Sequence, residues 1–456
     1  MIEMKVPERQ SGQVRRISVV GAGHVGLVTA ACFAELGHEV VCLDIDEERI
    51  NQIRSGVLPF HEPGLPELVQ KHIGKTLWFT TDHDRAIRNA EFVFLAVATP
   101  TTALGTADLR FVRSAARAVA RATNGRRPIL VSKSTAPVGI TETLESILSA
   151  EANGSGPLTV VANPEFLQEG TAVRDFMEPD RVVIGSADIE ARAAVGELYE
   201  PLKRPVLYTD IKTAEMVKYA SNAFLATKIS FINEIAEICE KVGADVRDVA
   251  RGMGLDPRIG SAFLQAGIGF GGSCLPKDVR ALSHLAAIYG SHPQLLNTVL
   301  EINAEQRRRL ITRLRHVLGT LRGAKIAVFG LAFKPGTDDT RDSPAFDVIR
   351  LLEYEEATIR AYDPFAMEET KRFFPDIEYA SDAYEAAAGC DAVILATEWQ
   401  EFKDLDMRHL RSVMRRPVLI DGRNAWDGDE ATNAGFLYFG MGVPDMASAQ
   451  AEEITA

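Results

Sequence analysis

The 456-residue sequence predicts an α/β protein with two doubly wound domains joined by a long central helix. A buried-strand pattern followed by glycine opens the chain after residue 15 and recurs at residue 324. Between these two units the apolar spacing changes to threes and fours, the period of a helix. The length allows two or three cores. We therefore predict a first doubly wound domain over residues 1–211, a central helical region over 212–311, and a second doubly wound domain over 312–456.

The first unit carries the pattern of a dinucleotide-binding turn. Arg16–Val20 predicts a buried strand, and Gly21, Gly23 and Gly26 follow it directly as G-x-G-x-x-G before a helix of small residues. Asp44 ends the next predicted strand, 23 residues after Gly21. A tight glycine turn lets the backbone approach a pyrophosphate, and a carboxylate at this sequence distance from the turn binds the ribose hydroxyls. Because a carboxylate repels a 2′-phosphate, the pattern predicts a Rossmann-like domain that binds NAD.

Polar residues follow several later strands of the same unit. Apolar runs at 92–97, 129–131 and 158–161 end in Thr99, in the Ser132–Thr135 segment and in the Asn163–Glu165 segment. A single hydroxyl in such a place is more often a helix cap. Several on successive parallel strands favour a ligand site, because ligands bind at the carboxyl ends of the strands.

The central unit begins with a long predicted helix, capped near Thr213 and ending at Gly243. Lys218 and Asn222 stand one turn apart on it. Two solvent-facing polar residues are the commoner explanation. The helix is, however, apolar over much of its circumference, so these side chains are expected to face a cleft, or the helix to pack against a second subunit.

A glycine-rich stretch follows at residues 267–272, with four glycines in six positions, so its backbone N–H groups are expected to lie against a ligand. Cys274 comes directly afterwards, and Asp278 stands four residues later. If a helix begins near Ser273, the thiol and the acid share one face. Sulfur could then attack a carbonyl while the acid activates water. A flexible loop with a buried, inert cysteine is equally consistent with this stretch alone.

The second doubly wound unit has a strand at 324–329, then Gly330, but no second closely spaced glycine. A dinucleotide is therefore less expected than another phosphate ligand, which Lys334 could reach. Arg341 and Arg423 could add positive charge.

Composition limits the partners. The net charge of −13 disfavours nucleic acid or an anionic membrane as the general partner. Five scattered cysteines favour a reducing compartment without a disulfide framework or a zinc cluster, so no metal is expected. No signal-peptide core or membrane-spanning run is present in the sequence, and we predict a cytoplasmic protein.

Together these motifs closely resemble one family, the UDP-glucose/GDP-mannose dehydrogenases, over nearly the whole chain. The resemblance is carried by Gly21–Gly26, Lys133–Thr135, Asn163–Leu167 with Glu169, Lys218 with Asn222, Gly271–Asp278 and Phe333 with Lys334.

The resemblance implies a four-electron oxidation of a nucleotide sugar's primary alcohol to a carboxylate, with two NAD in succession. Cys274 would capture the aldehyde as a thiohemiacetal, which a second oxidation turns into a thioester. Lys218 with Asn222 would stabilise the developing oxyanion. Asp278 would position or deprotonate the hydrolytic water, which Thr135 and Glu165 would hold.

The resemblance also implies binding residues. For NAD they are Gly21, Gly23, Val25, Gly26, Asp44, Arg49, Thr99, Ser134, Glu169 and Arg341. For the nucleotide sugar they are Glu165, Phe166, Leu167, Lys218, Asn222, Phe263, Gly267, Gly271, Lys334 and Arg423. Arg258 matches the position that reaches into the neighbouring subunit, which implies a homodimer or higher homo-oligomer. Ala98, Gln265 and Gly267 depart from residues common in relatives, and the last two weaken the expected diphosphate contacts.

The branch of the family is less determined. The segments at 165–173 and 266–270 resemble UDP-glucose members. Leu275 also occurs in GDP-mannose members, so that substrate remains an alternative. The N-acetylhexosamine branch typically has His where this chain has Ser273, and it ranks third. A catalytically inactive regulator that binds NAD and a nucleotide is a hypothesis of another class, which the catalytic set at Cys274, Lys218 and Asp278 disfavours.

Overall fold

The computed structural model describes residues 13–100, 102, 107–135, 137–151 and 158–447. The chain divides into two compact units, residues 1–220 and 221–456. Each contains a largely parallel sheet, which confirms the predicted α/β class with two doubly wound parts and a long helix between them in the chain. The finer division at residues 211 and 311 stays a prediction.

The first unit contains an eight-stranded sheet in the order β3-β2-β1-β4-β5-β6-β7-β8. Its strands are β1 (Arg16–Val20), β2 (Glu39–Leu43), β3 (Leu77–Thr80), β4 (Phe92–Leu95), β5 (Ile129–Ser132), β6 (Val160–Ala162), β7 (Val182–Gly185) and β8 (Val206–Thr209). Its helices are α1 (His24–Glu35), α2 (Glu47–Arg54), α3 (Leu65–His72), α4 (His83–Ile87), α5 (Arg110–Ala122), α6 (Ile140–Glu151), α7 (Ala172–Met177) and α8 (Ile189–Glu197). β7 pairs antiparallel with β6, so the last two strands reverse direction.

The continuous apolar strands of this sheet reflect burial on both faces. Phe92 and Phe94 of β4 belong to one core cluster, and Val93 and Leu95 belong to the cluster on the opposite face. Because successive side chains of a strand alternate between faces, a sheet with helices on both sides requires apolar residues at every position. Because the strands themselves are largely apolar, the polar residues lie after the carboxyl ends of β1, β4, β5 and β6.

The long helix α9 (Ile211–Val242) confirms the predicted central helix, but its start was misplaced. The helix begins two residues before Thr213, and Asp210 caps it. The Asp210 carboxylate accepts hydrogen bonds from Thr213 N at 2.9 Å and from Thr213 Oγ1 at 2.6 Å. Thr213 is thus the third residue of the helix, and it donates to the capping residue Asp210. An aspartate in this position satisfies unpaired amides of the first turn.

The second unit contains a helical region and a seven-stranded sheet in the order β11-β10-β9-β12-β13-β14-β15. Its strands are β9 (Lys325–Phe329), β10 (Thr358–Tyr362), β11 (Glu378–Tyr379), β12 (Ala392–Leu395), β13 (Val418–Asp421), β14 (Leu437–Gly440) and β15 (Met446–Ala447). Its remaining helices are α10 (Val246–Gly254), α11 (Leu275–Ile288), α12 (Gln294–Leu318), α13 (Pro344–Tyr354), α14 (Met367–Lys371), α15 (Ala383–Ala387), α16 (Gln400–Lys403), α17 (Met407–Val413) and α18 (Gly428–Asn433). Only β15, among its described strands, pairs antiparallel.

No helix in the described part of the chain is both long enough and apolar enough to cross a membrane.

Candidate active site

The glycine turn after β1 has the shape that a dinucleotide pyrophosphate needs. Gly21 has a φ of +106°, and a Cβ there would lie 2.5 Å from the Ala96 carbonyl oxygen. A Cβ at Gly26 would lie 1.8 Å from the Gly21 oxygen, so both glycines are required by packing. A Cβ at Gly23, by contrast, would meet nothing within 4 Å. The open side of the turn at Gly23 is therefore available to a ligand, as the cofactor prediction requires.

Asp44 lies at the end of β2, next to this turn. Its carboxylate accepts hydrogen bonds from Ala22 N at 2.7 Å and from Asp46 N at 3.0 Å, and Arg49 Nη1 lies 3.3 Å from Oδ2. The first bond ties the acid to the glycine turn. A carboxylate has about four lone-pair positions, so further positions remain for ribose hydroxyls. The residues present therefore fit NAD, and Arg49 lies where it can compensate the charge of Asp44.

The hydroxyl residues that follow β4 and β5 contact one another's backbone. Thr99 Oγ1 donates to the Thr135 carbonyl at 2.6 Å, and Ser134 Oγ donates to the Val97 carbonyl at 2.8 Å. These bonds fix two neighbouring loops at the carboxyl edge of the sheet. The structure thus brings together the predicted residues Thr99, Ser134 and Thr135.

Glu165 follows β6 at the same edge and forms a buried ion pair. Lys218 Nζ, from α9, lies 3.1 Å from Glu165 Oε1, and both side chains are at most 5% exposed. Thr135 Oγ1 lies 3.4 Å from the same oxygen. Burial raises the pKa of Glu165, but the charge of Lys218 and the hydrogen bond from Leu167 N outweigh it, and the pKa falls below its usual range. The acid is therefore ionised and oriented.

Phe166 lies between two cations. The Arg181 guanidinium is 3.7 Å from the centre of its ring, and Lys218 Nζ is 5.4 Å from it. A cation over an aromatic face is attracted by the ring quadrupole. Arg181, directly before β7, was not predicted as a site residue, because nothing in a lone arginine before a strand indicates an aromatic partner.

A cleft of the first unit is lined by several of these side chains. Its lining residues are Ser132, Ser134, Thr135, Ala162, Pro164, Glu215, Lys218 and Tyr219. Glu215 was also missed in the sequence. Its carboxylate accepts from Gly139 N at 2.6 Å and from Thr141 Oγ1 at 2.6 Å, which holds the loop before α6.

In the second unit, Cys274 lies immediately before the first residue of α11, and Asp278 N donates to the Cys274 carbonyl at 2.9 Å. The predicted helix start beside the thiol is therefore correct. The Asp278 carboxylate is buried and accepts from Asn222 Nδ2 at 2.6 Å and from Lys277 Nζ at 2.5 Å. The structure thus places the predicted thiol and acid within one helical turn and joins the acid to Asn222.

The glycines before Cys274 are packed, not flexible. Added Cβ atoms at Gly269, Gly271 and Gly272 would lie 2.3 Å from Asn303 Oδ1, 2.2 Å from the Asp342 oxygen and 2.6 Å from the Phe333 ring. The prediction that the backbone amides of this loop lie against a ligand is wrong for four of them. The amides of residues 267, 268, 270 and 272 already donate to Asn233, Gly422, Asn303 and Arg341.

Asn303 and Arg307 of α12 hold the middle of this loop. Asn303 Oδ1 accepts from Phe270 N at 2.8 Å, its Nδ2 donates to the Phe270 carbonyl at 3.0 Å, and Arg307 Nη2 donates to the same carbonyl at 2.8 Å. Both side chains are buried. Polar residues on a helix carry no sequence signal for such a distant backbone partner, so neither was predicted.

The remaining predicted residues of the second unit form two groups. Arg423 donates to the carbonyls of Ala396 at 2.7 Å and Gly269 at 3.0 Å, and Lys334 Nζ lies 5.7 Å from the Phe333 ring centre. Arg341 and Arg258, by contrast, form bidentate pairs with Asp339 and Asp256, two residues before each. The Arg258 side chain is 87% exposed. The structure therefore brings Arg423 to the glycine loop and leaves Arg258 on the surface of its unit.

Phe263, a predicted substrate-binding residue, has a backbone φ of +64°, in the left-handed region, which the sequence did not predict.

Within the described ranges, no group of three or more His, Cys, Asp or Glu side chains is arranged to hold a metal ion.

Three family models match this chain in succession. Residues 15–203 match the NAD binding domain of the UDP-glucose/GDP-mannose dehydrogenase family, residues 212–305 its central domain, and residues 327–428 its UDP binding domain. The chain belongs to this family. The matches confirm the prediction of NAD as cofactor, and they support a nucleotide sugar as the substrate class.

Relatives of this dehydrogenase family align over nearly the full chain. UDP-glucose 6-dehydrogenase TuaD of Bacillus subtilis (strain 168) is 46% identical over 433 residues, covering 94% of each protein. UDP-glucose 6-dehydrogenase of Rhizobium meliloti (strain 1021) is 47% identical over 438 residues, covering 94% of this chain and 100% of the relative. The structure of a UDP-glucose dehydrogenase from Pyrobaculum islandicum matches with a TM-score of 0.89 at 38% identity, covering 96% and 100%.

Proposed function

We propose that this chain is a UDP-glucose 6-dehydrogenase, which oxidises the C6 alcohol of UDP-glucose to the carboxylate of UDP-glucuronate through a thioester on Cys274. The proposal is supported by relatives of that name at 46% and 47% identity over most of the chain. The structural observation that carries it is the position of Cys274. It is the one cysteine of five that is not buried, and it lies at the start of α11, one turn from a buried acid.

The oxidation half of the reaction uses the thiol of Cys274, the ammonium of Lys218 and the amide of Asn222. The thiolate of Cys274 attacks the C6 aldehyde, forming the C–S bond and placing a negative charge on oxygen. Lys218 and Asn222, one turn apart on α9, stabilise that oxyanion. NAD, when bound at the Gly21–Gly26 turn and Asp44, supplies the hydride acceptor for each of the two oxidations. Capture on sulfur keeps the aldehyde on the enzyme between them.

The hydrolysis half uses the acids. Water attacks the thioester carbon, its proton passes to a base, and the C–S bond breaks to release the carboxylate and regenerate the thiolate. Asp278 is buried and fixed by Asn222 and Lys277, which suits it to orient that water. Glu165, ionised by its pairing with Lys218 and touching Thr135, forms the second water-holding group.

The substrate is tested by comparing NADH release with UDP-glucose, GDP-mannose and UDP-N-acetylmannosamine in parallel. We expect UDP-glucose to give the highest kcat/KM, with two NADH per sugar oxidised. GDP-mannose is the alternative that the sequence leaves open, and a higher kcat/KM with it would replace the proposal. Release of no NADH with any of the three would favour the inactive regulator.

The mechanism is tested by stalling its two halves separately. Cys274→Ser should abolish normal turnover, because an alcohol has no accessible anionic form at neutral pH. Asp278→Asn should still form the thioester, giving a burst of about two NADH per active site and then a slow phase. Intact-protein mass spectrometry should show the sugar adduct on Cys274 during that phase. Full steady-state activity of Cys274→Ala would exclude the covalent mechanism.

We also infer a homo-oligomer, at least a dimer, in the cytoplasm. The family position of Arg258 in a neighbouring subunit's site accords with its exposed side chain. The need to keep a nucleophilic thiol reduced supports the cytoplasm as the location.

A further inference from the structure

Lys133 is a buried amine that the proposed mechanism does not use. It follows β5 directly, and its side chain is almost completely buried. Its Nζ lies 3.2 Å from Asn163 Oδ1 and 3.3 Å from the Tyr199 hydroxyl, and it faces the Phe176 and Tyr199 rings at 5.8 Å. Both hydrogen-bonding partners are neutral groups. A buried ammonium in such surroundings destabilises the fold, so its retention calls for a role in function.

The neighbouring charge on which Lys133 acts is Glu165. β5 and β6 are paired in register, Ser132 with Ala162, so Lys133 and the segment after β6 lie side by side. Asn163, whose Oδ1 accepts from Lys133, is two residues before Glu165. The same oxygen accepts from Tyr199 OH at 2.6 Å, and Asn163 Nδ2 donates to the Val183 carbonyl at 2.9 Å. The charge of Lys133 also contributes to the lowered pKa of Glu165.

We propose that Lys133 is a positioning residue that sets the charge of the Lys218–Glu165 pair. Without it, one ammonium and one carboxylate at 3.1 Å cancel, and an oxyanion at Lys218 meets a neutral pair. With it, two ammonium groups and one carboxylate leave the cluster with one net positive charge. In a buried site of low dielectric constant, that excess favours the developing oxyanion. Lys133 also fixes Asn163, and through it the backbone that presents Glu165.

The titratable groups that face this cluster define its expected pH behaviour. Lys133 faces Glu165, Lys218, the Cys32 thiol of α1 and the Tyr199 hydroxyl. Glu215 lines the same cleft as Lys218, and its carboxylate accepts from Gly139 N and Thr141 Oγ1. Burial lowers the pKa of Lys133 from its ordinary 10.5 to about 8. Below pH 8 the folded chain therefore carries a proton at a cost that the unfolded chain does not have. Between pH 8 and 10.5 the folded state loses that proton first, so the destabilisation disappears as the pH rises.

The test compares Lys133→Met, which keeps length but removes the charge, with Lys133→Arg, which keeps the charge. Lys75→Met, which removes an exposed lysine of the same unit, is the matched control. Since the inference rests on the proposed function, wild-type NADH release with UDP-glucose tests that function. The ratio of each variant's kcat and kcat/KM to those of the wild type tests the role of Lys133.

We expect Lys133→Met to lower kcat and kcat/KM together by about 10- to 100-fold, less than the loss of a direct oxyanion donor. The acid limb of its pH–activity profile should move to higher pH, because Glu165 loses one of the two cations that lower its pKa. Its Tm at pH 7 should exceed that of the wild type, and the gain should shrink at pH 10. Lys133→Arg should return the acid limb towards its wild-type position, and Lys75→Met should leave the limb and kcat unchanged.

Two results would overturn the inference. One is wild-type kcat and an unmoved acid limb in Lys133→Met. The other is a fall in activity that accompanies a lower Tm in both Lys133 variants, with no change of pH profile, since that would show a packing role alone.

Discussion

Asp44 and Asp363 occupy the same place in the two sheets, each after the second strand, but their surroundings differ. Asp363 is completely buried, and its oxygens accept from the amides of Leu331, Ala332, Phe365 and Ala366 and from Trp399 Nε1, all within 3.1 Å. Asp44 accepts two backbone amides and contacts Arg49, and it keeps 9% exposure. The second acid is thus saturated by its own turn, whereas the first can still accept from a ligand.

This difference predicts opposite effects of the two substitutions. Asp44→Ala should raise the KM for NAD by about tenfold or more, because hydrogen bonds to a charged group contribute roughly 1.5–3 kcal/mol. Asp363→Asn should leave that KM unchanged and lower the Tm, since an amide cannot accept all five bonds. Steady-state kinetics and thermal melts measure both. A wild-type protein that prefers NADP would show that Asp44 has been assigned wrongly.

At this scale the sequence was informative where spacing alone implies chemistry. Asp44 could be predicted because its distance from the glycine turn fixes its place. The roles of Lys218 and Glu165 came only from the family resemblance, their pairing with each other was not predicted, and Arg181 and Glu215 could not be found at all. Their partners lie 15 or more residues away, and long-range contacts leave no periodic signal.

Among the elements, the glycine-rich loop and α12 form the support of Cys274. The sequence predicted the loop and the helix after it, but it gave the wrong reason for the glycines. They are required because the loop packs closely against Asn303, Asp342 and Phe333, so that side chains would collide. The sequence shows that these positions have no side chains, but it does not show which neighbouring residues occupy the space where side chains would lie.

Asn303→Ala tests this support. The change leaves the Phe270 amide without its acceptor and removes one donor to the Phe270 carbonyl, so the loop should loosen. We expect kcat to fall about tenfold with little change in NAD affinity, and faster hydrogen exchange at residues 267–272. Asn297→Ala, on the exposed side of the same helix, is the control and should change neither. Unchanged exchange in the loop would contradict the role of Asn303.

For the whole molecule, α9 leaves an apolar stripe uncovered by this chain. Phe224, Phe231 and Ile238, spaced by seven residues, are 65%, 43% and 51% exposed. That spacing keeps them near one face of the helix. The sequence predicted an apolar helix packed on several sides, and a second copy of the chain is the proposed cover.

Phe231→Glu should therefore shift sedimentation from a dimer or larger assembly towards the monomer, because a charge in an apolar interface is strongly unfavourable. Activity should fall with it if Arg258 completes a neighbour's site. Tyr354→Glu, at a residue 85% exposed on α13, should do neither. A wild-type chain that sediments as a fully active monomer at micromolar concentration would contradict the assembly.

The sheets themselves were the most predictable part of the molecule, since each repeats a strand, a glycine turn and a second strand ending in aspartate. The directions of the reversed strands β7, β8 and β15 were not predictable, because a short apolar run such as Val182–Gly185 carries no information on its direction.

The uneven burial of the five thiols has a practical consequence. Cys32, Cys42, Cys239 and Cys390 are at most 4% exposed, and burial raises the pKa of each, that of Cys390 to about 11. Cys274 alone is partly accessible. A maleimide dye should therefore attach at one position per native chain, with no cysteine removed by mutagenesis. Titration with such a dye would count competent active sites, and bound nucleotide sugar should protect them. The same selectivity exposes the enzyme to oxidants, since peroxide would reach the one sulfur atom on which turnover depends.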